Sequence, residues 1–194
     1  MKNFYIKNKE KFYKKLFLYK SILYRNTRFI YDYPDNDLVP IVNALNIKNR
    51  YNRLTYIYDY CCGTLDEYYA DKNYCDFCNN KCVRQQDPNC KFINGCCRLC
   101  IYQDSKGCKT SNLTCKLYYC SAIEDNYKTL KYEDFKILKL LSFRQRLISK
   151  DNFFTNRESF IKDLYFGSLV VFAIREAFRL IKNFAILKRK KQAI

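Results

Sequence analysis

All twelve cysteines of this 194-residue chain lie between Cys61 and Cys120, and the chain contains no histidine. That combination constrains the fold more than any other feature. A segment rich in thiols and poor in aliphatic side chains needs cross-links to hold a shape, through metal or through disulfides. Without imidazole, Ser-His-Asp and Cys-His catalysis, His-ligated zinc hydrolysis and zinc fingers with paired His ligands are all excluded. The chain has only four Gly and three Pro, where average usage at this length gives roughly 14 and 10. So few turn-formers argue against a hairpin-rich β fold and for helices. Hydrophobic residues make up 48% of the chain, enough for a core, so wholesale disorder is excluded.

Charge divides the chain at the same places. Residues 1–60 carry 12 basic and 5 acidic side chains, residues 61–125 carry 8 of each, and residues 126–194 carry 16 and 6, for a formal net charge of +17. The expected organisation is a basic helical N-terminal arm over 1–70, a cysteine-rich metal-binding module over 71–125 and a basic helical C-terminal arm over 126–194. In fold class this is a mainly α chain, with helical arms around an irregular cysteine-rich, metal-stabilised insert. The abundance of Lys, Asn, Ile, Tyr and Phe also fits compositional drift in an AT-rich genome, so the basic excess has a bland reading beside a functional one.

Compartment decides what the cysteines mean. The N-terminal apolar residues are interrupted by Lys15 and Lys20, unlike the continuous apolar core of a signal peptide. The expectation is a cytoplasmic chain with reduced thiols, where cysteine clusters bind metal more often than they pair. Asn112-Leu-Thr114 is then a chance match to a glycosylation sequon.

Periodicity places the helices. Phe12, Leu16, Tyr19 and Leu23 recur at helical spacing, with Tyr13 and Phe17 alongside, and a break follows around Pro34. Leu54, Ile57, Tyr58, Cys61, Leu65 and Tyr68 predict a helix over about 51–70 despite Gly63. Cys61 lies on its apolar stripe and Cys62 about 100° away, and both read as ordinary thiols. Phe135, Leu138, Leu141 and Ile148 mark a third helix. Thr155 and Glu158 form a capping-box pattern ahead of a helical run from about Asn156 to Leu187. In that run Ser168, Arg175, Glu176, Arg179, Lys182 and Asn183 share one face, and the rest is broadly apolar. Its longest apolar stretch, Leu169–Ile174, is far short of the roughly 20 residues a bilayer span needs. No transmembrane segment is expected.

Within the insert, Cys75-x2-Cys78 and Cys97-x2-Cys100 are separated by 18 residues, a spacing that suits a closed tetrahedral zinc site of four thiolates. Cys82 or Cys96 can replace a member. Cys100, Cys108, Cys115 and Cys120, joined by Cys82, Cys90 or Cys96, offer a second sulfur-rich site. Thiolate ligands favour zinc, or an iron–sulfur cluster, over calcium or magnesium. The bacterial ferredoxin run of cysteines is not matched, since only Cys75-x2-Cys78-x3-Cys82 is present. Structural zinc is the expected cofactor, with an iron–sulfur cluster as the alternative and disulfides or plain thiols as the reading without metal.

Residues 95–120, GCCRLCIYQDSKGCKTSNLTCKLYYC, resemble the zinc- or iron-chelating cysteine-cluster proteins of bacteria. The parallel runs through Cys96, Cys97, Cys100, Cys108 and Cys115, with Tyr118 as the aromatic that follows. That family carries Arg-Pro before the later Cys, where this chain has Leu113-Thr114, and the gap from Cys108 to Cys115 is short for it. The resemblance implies metal chelation and no particular reaction.

Three roles compete for the basic arms. An interaction or scaffold protein would dock a protein partner through the apolar face of the last amphipathic helix. A nucleic-acid-binding protein would set basic and aromatic side chains against phosphates and bases, although no reading module is recognisable. A peripheral protein would lay residues 164–187, ending in Leu187-Lys188-Arg189-Lys190-Lys191, on an anionic membrane surface. The plain alternative for that helix is core packing with a solvated basic tail. A redox or metal-transfer enzyme would need a low-pKa thiol outside the metal sites, for which Cys62 is the candidate.

Overall fold

The computed structural model describes residues 1–31, 35, 37–72, 74–75, 103–104, 107–108, 112–119 and 121–192. These residues are mainly helical, as the scarcity of turn-formers predicts. The elements are β1 (Lys2–Ile6), α1 (Lys9–Lys14), α2 (Leu16–Ser21), β2 (Thr27–Tyr31), α3 (Leu38–Asn46) and α4 (Arg50–Tyr69), then a two-residue pair β3 (Gln103–Asp104) and β4 (Gly107–Cys108). They continue with α5 (Leu113–Leu117), α6 (Ser121–Glu124), α7 (Phe143–Asp151), α8 (Arg157–Phe166) and α9 (Leu169–Gln192). Short 3-10 turns cover Leu23–Asn26, Tyr132–Asp134 and Lys136–Leu140.

The N-terminal periodicity does not become one helix. Lys15, at φ −101° and ψ 8°, breaks it into α1 and α2, and strands flank the pair. β1 and β2 are parallel, in register from Lys2 opposite Thr27 to Ile6 opposite Tyr31. Parallel strands need a crossover of a dozen or more residues, and α1 and α2 supply it. Phe4, Phe12, Tyr19 and Phe29 close over the crossover, with Phe12 and Tyr19 stacked at 5.1 Å between ring centroids. The side-chain amide of Asn46, at the end of α3, donates to the Phe29 carbonyl and accepts from its N–H, both at 2.9 Å. It pairs the backbone of β2 where no further strand among the described residues does.

The α4 helix runs within a residue of its expected bounds. Asn49 caps it by accepting from the Asn52 N–H at 3.0 Å. The expected third helix divides: Lys136–Leu140 is a 3-10 turn, and α7 begins after Ser142, which forms a reciprocal capping box with Gln145 in its first turn. Ser142 stops the helical run because its hydroxyl accepts from the free Gln145 N–H in the first turn of α7.

The last run also divides. The cap of α8 is Asn156, accepting from the Ser159 N–H at 2.9 Å. Thr155, the expected cap, instead donates its hydroxyl to Asn152 at 2.8 Å. At the far end Gly167 sits at φ +62° and donates its N–H to the Asp163 carbonyl at 2.9 Å. That left-handed C-terminal cap suits glycine and separates α8 from α9.

The segments on either side of the insert share one core. Ile41, Leu45, Ile57 and Tyr58 from the N-terminal side join Leu113, Leu138, Ile148 and Phe160 in a single buried cluster. Polar ties cross the same boundary. Lys20 donates to the Lys139 and Leu141 carbonyls at 2.7 and 2.9 Å. Arg157 grips both oxygens of Asp59 at 2.7 and 2.6 Å, the fork geometry of a bidentate guanidinium–carboxylate pair.

Candidate functional site

Of the candidate metal ligands, Cys75 and Cys115 are among the described residues, and Cys108 is described in backbone as part of β4. Cys78, Cys82, Cys90, Cys96, Cys97, Cys100 and Cys120 lie outside them. Among the described residues no group of three or more His, Cys, Asp or Glu side chains is placed to hold a metal ion. β3 and β4 pair antiparallel, Gln103 with Cys108 and Asp104 with Gly107.

The two ends of the insert do meet. Tyr74, next to Cys75, and Tyr119, next to Cys120, have ring centroids 6.1 Å apart. Both rings touch Tyr69 at the end of α4, at 5.7 and 5.2 Å. Tyr74 also stacks on Tyr127 at 4.5 Å. Such contacts add to the stability that ring burial alone provides. They form a tyrosine neck that brings the chain in and out of the insert at one place. Burial drives the Tyr119 hydroxyl pKa far above its ordinary value.

Cys61 and Cys62 are both buried. Cys62 is rotated off the main stripe of α4, yet α5 covers it: Lys116 of α5 lies beside it and salt-bridges Asp66. Burial pushes the Cys62 thiol up to about 11, against the opposing pull of Lys116, and pushes Cys61 well above its usual value. A redox or transfer thiol needs the opposite shift, so Cys62 is a core side chain. The tyrosine run on α4 is structural as well. Tyr58 is buried against Phe160 at 4.9 Å, and Tyr56 and Tyr60 pack on the core. Asn112 of the sequon is completely buried, with its amide donating to the Thr155 carbonyl and its oxygen accepting from the Thr114 N–H.

The decisive geometry is that of α9. Its polar face turns inward. Asp163 of α8, buried to 1% side-chain exposure, accepts from Arg175 at 2.8 Å and from Arg179 at 2.7 Å. Asn152 donates to the same carboxylate at 3.2 Å and accepts from Arg179 at 3.3 Å. Glu176 salt-bridges Arg179 at 2.8 Å, and burial raises its carboxyl above the usual range. Phe172, Glu176, Arg179 and Asn183, at four- and three-residue steps, form the inward seam, with Phe172 and Asn183 buried and Glu176 and Arg179 half-buried. The hydrogen bonds continue from Asn152 through Thr155 to Asn112, so one buried polar chain links the exit of the insert to α9.

The apolar face therefore points away from the body. Val170, Ile174, Phe178, Ile181 and Phe184 are 53–71% exposed. With Val171, Ala173, Ala177, Leu180 and Ala185 they cover about half the helix circumference over about 22 Å. Large contiguous apolar patches are rare on monomers and mark interaction surfaces. No helix among the described residues is long and apolar enough to cross a membrane.

A separate cleft of about 450 Å³ lies against α7, floored by Phe135, Leu138 and Leu147 and bordered by Lys139, Arg146 and Lys150. Its carboxylate, Glu133, is salt-bridged to Lys150 at 2.9 Å, which holds it below the usual range. Such a group serves poorly as a general acid.

No protein-family model, curated protein or solved structure matches this chain.

Proposed function

We propose that this chain is a non-enzymatic interaction protein whose helical body presents the bare face of α9, and whose insert holds zinc through thiolates. One observation carries the interaction role: Arg175 and Arg179 are seated on the buried Asp163, so the helix is held with its apolar side outward. An amphipathic helix that served only its own core would be rotated the other way. If the face is bare, Phe178→Glu/Ile181→Glu leaves unfolding free energy within about 0.5 kcal/mol of the parent, as surface substitutions do. A loss of several kcal/mol in urea unfolding would mean that the chain itself covers this face.

The metal role rests on the paired Cys-x2-Cys spacing of Cys75, Cys78, Cys97 and Cys100, on the resemblance of residues 95–120 to chelating cysteine-cluster proteins, and on the tyrosine neck that draws the ends of the insert together. Zinc in such a closed site holds a fold and does not activate water. Cys97→Ser is expected to lose one equivalent of zinc while far-UV circular dichroism of the helical body is retained. Metal analysis of protein purified without oxygen checks this. Iron with acid-labile sulfide would replace zinc by a cluster, and full metal retention in the variant would remove Cys97 from the ligand set.

A further inference from the structure

We infer that α9 is an interfacial helix whose partner is an anionic membrane surface, with the body riding on its polar side. The inference rests on the interaction reading above and names its partner.

Charge is the first argument. The sole acid of α9, Glu176, is on the inward seam and paired with Arg179, so nothing acidic on the bare face repels anionic headgroups. Lys182, Lys188 and Arg189 are exposed, and Lys190 and Lys191 follow in sequence. Lys188 lies 18 residues after Val170, five full turns, and therefore on the same line along the helix. The bare face thus ends in cations at the height of the headgroups. The segment that carries it, residues 126–194, has 16 basic and 6 acidic side chains, and basic segments at a membrane surface are drawn to anionic lipid.

Shape is the second argument. A dimer seam of the coiled-coil kind uses a narrow stripe of two residues in seven, flanked by charges of both signs. Here the apolar arc spans about half the helix and is not flanked by acids. A convex half-cylinder of Val, Ile, Leu and Phe fits the boundary between headgroups and acyl chains, where amphipathic helices lie in the plane. Phe166, exposed at the end of α8 and in contact with Arg175 at 5.4 Å, extends the patch at its N-terminal end.

The test is co-sedimentation of the full chain with vesicles of phosphatidylglycerol and phosphatidylcholine, beside vesicles of phosphatidylcholine alone. The expected result is binding to the anionic vesicles, roughly tenfold weaker without the anionic lipid, and weakened by salt. Phe178→Glu/Ile181→Glu lowers binding roughly tenfold or more, and Lys188→Glu/Arg189→Glu lowers it only on anionic vesicles. Vesicle binding unchanged by Phe178→Glu/Ile181→Glu overturns the inference. A dimer seen by light scattering and dissolved by Phe178→Glu/Ile181→Glu, without vesicle binding, overturns it in favour of a second copy and leaves the interaction reading intact. Capture by duplex DNA without vesicle binding also overturns it. A monomer that binds no vesicle and whose stability falls sharply in Phe178→Glu/Ile181→Glu overturns both readings.

Discussion

Asp163→Ala is expected to lower the unfolding free energy by about 2–3 kcal/mol and to loosen α9 from the body. Removing one partner of a buried ion pair costs roughly 3–5 kcal/mol, because the remaining charge is left without compensation. Asp163 is the buried member, at 1% side-chain exposure, whereas Arg175 and Arg179 are 43% and 22% exposed. The arginines can therefore turn partly to water, which brings the cost below that range. The loss falls on α9 in particular, since its inward seam is otherwise held by Phe172 and the buried Asn183. Trypsin should cut at Arg175, Arg179 and Lys182 faster in the variant than in the parent, well before global unfolding. Asp163→Asn keeps the shape and one acceptor and should lie between the two. Unchanged stability together with unchanged proteolysis would mean that the seat does not orient the helix.

Phe160→Ala acts on the body instead. Phe160 is fully buried, in ring contact with Tyr58 at 4.9 Å, and lies where α8 crosses α4. Truncating a buried Phe to Ala costs about 3–5 kcal/mol, partly for lost burial and partly for the cavity left behind. For a chain of this size the melting temperature should fall by about 10 °C. Whole domains are stable by only about 5–15 kcal/mol, so this variant is expected to be marginal at physiological temperature. Because α4 and α8 come from opposite sides of the insert, both sides should melt together in one transition. Two separate transitions would show that the shared core is not cooperative.

Much of the helical content was legible in the sequence. The stripe of Leu54, Ile57, Tyr58, Cys61 and Leu65 on α4 is local and strongly periodic. Gly167 was visible as a residue and its role was not, because the left-handed turn it makes interrupts an apolar pattern that continues on both sides. The parallel pair of β1 and β2 was missed for a different reason. Each strand is five residues long, too short for a firm two-residue period, and the pairing joins positions 25 apart. Asp163 carried a faint signal, a carboxylate in step with Phe160 and Leu164 on the buried side of α8. Nothing along the chain identifies Arg175 and Arg179 as its partners.

Composition and periodicity alone determined a mainly helical chain, a neutral cysteine-rich segment between basic ones, and an amphipathic last helix. These follow from local propensity, spacing and charge, which act between near neighbours in the chain. Tertiary structure decided which side of that last helix meets the body. A hydrophobic stripe by itself predicts burial of the stripe, because apolar contact is non-directional and any apolar surface satisfies it. An ion pair is directional and binds one partner, so a single buried carboxylate on a neighbouring helix turns α9 over and leaves its apolar side to another surface.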